Sequence, residues 1–311
     1  MRILVLGAGG VGGYFGGRLA EKGEDVTFLV RSQRKKQLEK SGLVIKSIHG
    51  DYSFSPKLIT ATSEGVHPFD CVLFSTKAYH LDQAIADVKP FVGSDTIVIP
   101  LLNGIDHLST LQRAFGEDNV IGGLCFIETT LNADGEIIQT SPAHRVVYGE
   151  FNGEKTNRIE RLETAFSYTK TSFVLSDCIE QEMWHKYLFI TTLSGVTTLM
   201  RSPIGPIRDV EGGRTFIQSL LQEVYEIMVR EGAPVSDGIV QQHMKTMESM
   251  TYTMKSSMQR DIEKGYMTEA EHLQGYLLQL AQKYDVKSDI LHIVYQHLKV
   301  YEKVQKGTDN Q

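Results

Sequence analysis

The stretch MRILVLGAGGVGGYFGGRLAEKGEDVTFLV, residues 1–30, decides the fold. An apolar strand, Ile3 to Leu6, runs into Gly7-Ala8-Gly9-Gly10-Val11-Gly12, and the helical segment that follows ends near Gly23. A second apolar strand, Val26 to Val30, completes a strand, glycine turn, helix and strand in order. Glycines at 7, 9 and 12 meet three needs in turn: a tight reversal, close approach of backbone to a pyrophosphate, and close packing of helix on strand. The helix N-terminus then faces the anion. Residues Gly7, Ala8, Gly9, Gly10, Val11 and Gly12 therefore read as the cradle of a dinucleotide.

The residue after the second strand is Arg31, where an acidic side chain would hold a ribose 2′-hydroxyl. An arginine there pairs instead with a 2′-phosphate, which points to NADP rather than NAD. Arg34, Lys35 and Lys36 read as the solvated start of a helix.

With 311 residues the chain is long enough for two cores, and 41% apolar with 23% charged residues is ordinary globular composition. A net charge of −6 argues against nucleic acid or an anionic membrane as the main partner. Cys71, Cys125 and Cys178 are far apart and show no metal-ligand spacing, so no metal is expected and all three read as reduced core thiols of a cytoplasmic protein. The apolar run at the N-terminus stops at Leu6, too soon for a signal peptide. The longest later run, Tyr187 to Met200, is too short and too interrupted for a membrane span.

Further apolar runs at Cys71–Phe74, Thr96–Leu102 and Val120–Phe126 alternate with helical patterns at Leu81–Val92 and Ile105–Phe115, the rhythm of a doubly wound parallel sheet. A hairpin around Gly50-Asp51 reads as a peripheral insertion. Short strands at Ile137–Gln139 and Arg145–Tyr148, a helix at Asn157–Tyr168 and a strand at Phe173–Leu175 close the first domain, 1–177. From there, 178–311 reads as all-helical: Glu182–Met200, Val210–Arg230, Val235–Met258, Glu269–Tyr284 and Ser288–Lys306, with a frayed tail from Gly307 to Gln311. The expected architecture is α/β plus all-α: an N-terminal Rossmann-type sheet followed by a helical substrate domain, whose apolar faces could support a homodimer.

Ligands of open parallel sheets bind beyond the carboxyl ends of the strands, which singles out Ser75-Thr76-Lys77, Asn103-Gly104 and Glu128. In the helical part, Lys186 lies among Met183, Phe189, Ile190 and Leu193 at helical spacing. An ammonium on such a face either snorkels to water or is held with a lowered pKa beside a carboxylate, which suits proton donation. Trp184 reads as a core anchor and His185 as a helix-surface residue.

These residues together resemble the ketopantoate reductases (2-dehydropantoate 2-reductases) over nearly the whole chain. The resemblance rests on GAGGVG with Arg31, Ser-Thr-Lys77, Leu-Leu-Asn103-Gly, Trp184-x-Lys186, and Ser256-Ser257-Met258-x-x-Asp261 followed by Glu269. It implies NADPH as cofactor and reduction of a 2-keto acid in pantothenate and coenzyme A biosynthesis. By resemblance, Lys186 is the acid that protonates the forming alkoxide, and Glu269 hydrogen-bonds the nascent hydroxyl and fixes the lysine. Ser257 binds the substrate carboxylate, Asn103 contacts cofactor and substrate, and Lys77 lies by the ribose and substrate. The family commonly has Asn four and eight residues after that lysine, where this chain has Ile190 and Ser194, and often Asn where it has Gln274. Loss of those amides leaves the chemistry in place and opens a second reading, a 2-keto acid with a more apolar tail. A third reading is an NADP-binding sensor without turnover, against which the joint presence of Lys186, Glu269 and Ser257 argues.

Overall fold

The computed structural model describes residues 1–308. The chain divides into two compact units, one of Met1–Leu102 with His107–Ile179, the other of Asn103–Asp106 with the residues from Glu180 onward. The Asn103-Gly104 turn thus groups with the helices, although in sequence it lies within the first domain.

The first unit contains β1 (Arg2–Leu6), α1 (Gly10–Lys22), β2 (Asp25–Leu29), α2 (Ser32–Ser41), β3 (Leu43–Ser47), β4 (Tyr52–Phe54), β5 (Lys57–Ile59) and β6 (Cys71–Phe74). It continues with α3 (Leu81–Val88), β7 (Ile97–Pro100), α4 (His107–Phe115), β8 (Gly122–Leu131), β9 (Ile137–Gly149), α5 (Asn157–Phe166) and β10 (Ser172–Leu175). One sheet is wholly parallel, in the order β5-β2-β1-β6-β7. Its central strands are continuous apolar runs because both faces are covered, and Cys71–Phe74 and Ile97–Pro100 are buried throughout.

The run expected as one more parallel strand behaves differently. Only Val120 bridges in parallel to Val98; β8 then leaves to pair antiparallel with β9 in a second sheet of order β10-β9-β3-β4. The two short strands expected at Ile137–Gln139 and Arg145–Tyr148 are the two ends of β9, the first beside β3 and the second beside β10. Pro142 sits between them, where the β8–β9 register shifts and a missing N–H costs no ladder bond.

The hairpin β3–β4 is not peripheral, since Leu43 and Ile45 are fully buried in the core that also takes Phe15, Phe28 and Ile137. The reason is visible in α1, which lies between the two sheets. A Cβ at Gly12 or Gly16 would meet Val5 of the parallel sheet, and one at Gly13 or Gly17 would meet Ile137 or Ile45 of the second. The glycines of this helix are the residues that let two sheets close on it.

The second unit is helical: α6 (Ile179–Leu199), α7 (Ile204–Asp209), α8 (Gly213–Glu231), α9 (Ile239–Ser249), α10 (Ser257–Glu263), a π turn at Glu271–Gly275 leading into α11 (Tyr276–Lys283), and α12 (Asp289–Thr308). The helix expected over Val235–Met258 is interrupted: α9 ends at Ser249, and a new start is made at Ser256, whose hydroxyl accepts the Gln259 N–H at 3.1 Å as an N-cap. Gly195 lets α6 approach Leu220 of α8 and Val294 of α12. The last helix continues through Gly307 to Thr308, past the expected start of fraying, and the rest of that tail, 309–311, lies outside the described residues. No helix among the described residues is long and apolar enough to cross a membrane. Cys71 and Cys125 are buried free thiols, whereas Cys178, expected in the core, is exposed.

Candidate active site

The carboxyl edge of the parallel sheet is aligned by its register. Leu6 of β1 is level with Leu29 of β2 and with Phe74 of β6, so Gly7, Arg31 and the segment Ser75-Thr76-Lys77 emerge along the same edge. Gly7 has φ of +94°, a conformation that favours glycine, and its N–H donates to Leu29 O at 3.0 Å. A Cβ at Gly12 would stand 2.1 Å from Ser75 Oγ and 2.4 Å from Gly7 O, so only glycine lets the helix start this close to the strand end. Ser75 Oγ donates to Leu6 O at 2.9 Å and thereby ties β6 to β1 beneath the loop. A Cβ at Gly9, the N-cap residue just before α1, would meet nothing within 4 Å, so the backbone is open to a ligand there. A closed turn below, open backbone above and a helix N-terminus without an acidic first turn fit a dinucleotide pyrophosphate.

Arg31 is exposed at the start of α2, with its side chain available to a phosphate. It is also one cause, after burial, of a lowered pKa at His80, which follows Lys77 in the turn leading from β6. Arg34 departs from the expected solvated helix start. Its guanidinium is partly buried and donates from Nη2 to Ala8 O and to Gly135 O, both at 3.0 Å, and from Nη1 to Gln37 Oε1 at 2.6 Å. Lys77 begins the short turn Ala78–His80 and is partly buried. Glu128 does not follow a parallel strand. It lies within β8 at the register shift, and its backbone N–H donates to Ser141 Oγ at 2.9 Å.

In the helical unit Lys186 has 9% and Glu269 8% of their surface exposed. The lysine is thus largely enclosed, and of its neighbours Met183 and Leu193 are buried and Phe189 and Ile190 partly so. The hydroxyl of Tyr187, next to the lysine, donates to Leu273 O, and the Leu273 N–H donates to Glu269 O at 3.0 Å. This chain of bonds fastens the turn of α6 that carries the lysine to the segment that carries the glutamate. The carbonyl that takes the tyrosine lies in the π turn, where one extra residue loosens the backbone ladder, a device frequent at functional sites. Gln274, in the same turn, is wholly buried with neither amide atom hydrogen-bonded.

Asn103 is held through its backbone. Its carbonyl accepts from His272 Nε2 at 2.8 Å, and Gly104 beside it has φ of +78°. His272 Nδ1 stands 3.5 Å from Asp106 Oδ2. Ser257 is exposed at the first position of α10, and Ser256 before it is buried and 2.8 Å from Thr197 Oγ1 of α6. The same region is braced by Gly205, whose N–H donates to Tyr252 O and whose missing side chain makes room for the Tyr252 ring. Ser194 is buried and its carbonyl accepts from Thr198 Oγ1 at 2.6 Å, while Ile190 remains partly exposed one turn from the lysine. Sequence reading missed Arg34, Tyr187, Ser256 and His272. Of these, only Ser256 with Gln259 three residues on carries a local signal, that of a capping box.

His185, expected on the helix surface, is partly buried and accepts the Ser236 N–H at 3.0 Å. Its carbonyl accepts from His243 Nε2 at 2.8 Å. Burial pushes the His243 imidazole down to about 4. Above pH 6.5 both folded and unfolded chains hold this ring neutral. As the pH falls from 6.5 towards 4, the unfolded chain takes up a proton that the folded chain refuses, so stability declines across that window by about 3 kcal/mol. In His243→Gln, whose amide can still donate to the carbonyl, urea midpoints at pH 7 and pH 4.5 are expected to differ less than in the wild type. An unchanged difference would remove His243 as the cause.

A strand, glycine turn and helix start in one unit, and a buried lysine and a buried carboxylate in the other, are features expected of a nicotinamide-dependent oxidoreductase. The profile of the family described as Ketopantoate reductase PanE/ApbA matches residues 3–153, and that of its C-terminal region matches residues 178–302. The chain belongs to the ketopantoate reductase family, whose cofactor is NADPH. A Bacillus subtilis (strain 168) protein named Uncharacterized oxidoreductase YkpB is 49% identical over 302 residues, 97% of this chain and 99% of its own. The crystal structure of 2-dehydropantoate 2-reductase from Geobacter metallireducens GS-15 is similar at a TM-score of 0.87 and 26% identity, over 96% of this chain and 99% of that one. D-mandelate dehydrogenase, in a ternary structure with NADH and anilino(oxo)acetate, shares the fold at a TM-score of 0.87 and 18% identity, over 98% and 100% of the two chains.

Proposed function

We propose that this chain reduces 2-dehydropantoate (ketopantoate) to pantoate with NADPH, a step of pantothenate and coenzyme A biosynthesis. The observation that carries the reading is the burial of Lys186 together with Glu269, two ionisable groups that a helical packing unit has no need to enclose. The bound cofactor supplies hydride to the ketone carbon. Lys186 gives its Nζ proton to the oxygen as charge develops there, Glu269 accepts a hydrogen bond from the new hydroxyl and orients the ammonium, and Ser257 donates to the substrate carboxylate. Asn103 serves both cofactor and substrate, Lys77 lies by the ribose, and Gly7 to Gly12 with Arg31 bind the cofactor; Glu128, which lies within β8 and not at the end of a parallel strand, has no part in this reading.

Ile190 supports a second reading within the same chemistry. A partly exposed aliphatic side chain one turn from the acid offers a substrate tail no hydrogen bond, and loss of one such bond shifts discrimination by roughly 1–3 kcal/mol. Initial rates of NADPH oxidation with ketopantoate and with 2-keto acids of graded tail polarity separate the two. Ketopantoate is expected to give the highest kcat/KM. A higher value for an apolar-tailed keto acid transfers the assignment to that substrate, and no turnover by a protein that binds NADPH would overturn both.

A further inference from the structure

Two arginines stand three residues apart at the start of α2, and they do different things. Arg31 is exposed, whereas Arg34 is turned inward with its Nη2 shared between Ala8 O, in the middle of the glycine loop, and Gly135 O, in the turn between β8 and β9. Gln37, which accepts from Arg34, donates in turn to Asp134 O at 2.9 Å, so the same pair grips the β8–β9 turn twice. Gly135 has φ of +78°, and a Cβ there would stand 2.5 Å from Arg34 Nη1 and 2.2 Å from Gln37 Nε2, so the turn is shaped to receive these two side chains.

We propose that Arg34 is a positioning residue for the cofactor pyrophosphate. In a trans peptide the carbonyl and the following N–H point in opposite directions. Holding Ala8 O towards α2 therefore aims the Gly9 N–H away from it, at the residue where the backbone is open. A guanidinium on that carbonyl also polarises the peptide and strengthens its N–H as a donor to an anion. Arg34 acts on the part that NADPH and NADH share, and Arg31 on the 2′-phosphate that distinguishes them.

The test is to titrate NADPH and NADH into Arg34→Met, which keeps the apolar stem, and into Arg34→Lys, at a temperature where both are folded by circular dichroism. Both dissociation constants are expected to rise about tenfold in Arg34→Met and by a smaller, equal factor in Arg34→Lys, with the NADPH-to-NADH ratio unchanged. The KM for NADPH rises in step, while kcat at saturating NADPH falls less than twofold. Unchanged affinities, or a loss confined to NADPH, would overturn the proposal, the latter by making Arg34 a second 2′-phosphate contact. If Arg34→Met does not fold, the equal or unequal loss in Arg34→Lys decides.

Discussion

Replacing Lys186 by alanine is expected to lower kcat by about 10²- to 10⁴-fold, the range for loss of one positioned acid, while NADPH binds as it does to the wild type. Hydride addition leaves negative charge on the ketone oxygen, and in a site shielded from water only a placed donor neutralises it. Lys186 meets the structural requirement, since it is 9% exposed and its turn of α6 is pinned through Tyr187 to the backbone that leads to Glu269. The glycine turn and Arg31 lie in the other compact unit, so truncating the lysine leaves them intact. Single-turnover rates with a saturating 2-keto acid, beside fluorescence titration of NADPH, make the comparison. Wild-type turnover in Lys186→Ala would end the assigned role, and a parallel loss of NADPH affinity would show that the substitution disturbs more than the proton.

The second large effect is expected at Arg31. Arg31→Ala should weaken NADPH by about 10- to 100-fold and leave NADH within about twofold, because a charge-assisted bond to the 2′-phosphate is worth about 1.5–3 kcal/mol and NADH has no such phosphate. The exposed position of Arg31 at the strand edge makes the substitution structurally mild. Equal losses for the two cofactors would remove the 2′-phosphate contact. Raising ionic strength should narrow the NADPH advantage in the wild type and have little effect in the variant, since an exposed charge pair is screened.

The residues that were legible in sequence are those whose meaning is local. Gly7, Gly9 and Gly12 announce a turn because the spacing itself sets the geometry, and the apolar strands Ile3–Leu6 and Cys71–Phe74 announce a buried parallel sheet because both faces must be greasy. Lys186 stood out because a charge breaks an apolar helical stripe. What failed depends on partners distant in sequence. The partners of Arg34, at Ala8 and Gly135, leave no mark near Arg34 itself, so it looked like any other cation at a helix start. The run Val120–Phe126 has the composition of a central strand, but its departure from the parallel sheet is set by β9, which it meets only after the turn at Gly135. The helix read across Val235–Met258 carries a continuous apolar pattern, and the cap at Ser256 that divides it is a single hydroxyl.

The glycines of α1 extend this point beyond the cofactor. Gly13 and Gly17 face the second sheet with no room for a side chain, and Gly12 and Gly16 face the first in the same way. The helix works as a shim, a spacer of fixed thickness whose two surfaces are already at their limit. A shim passes on whatever displaces it: bulk added at Ile45 or Ile137, far along the chain from the phosphate loop, would push α1 against β1 and tilt the turn at its head. Drift in the second sheet is therefore constrained by cofactor affinity, and surface-distant substitutions there should be sought among variants selected only for nucleotide binding.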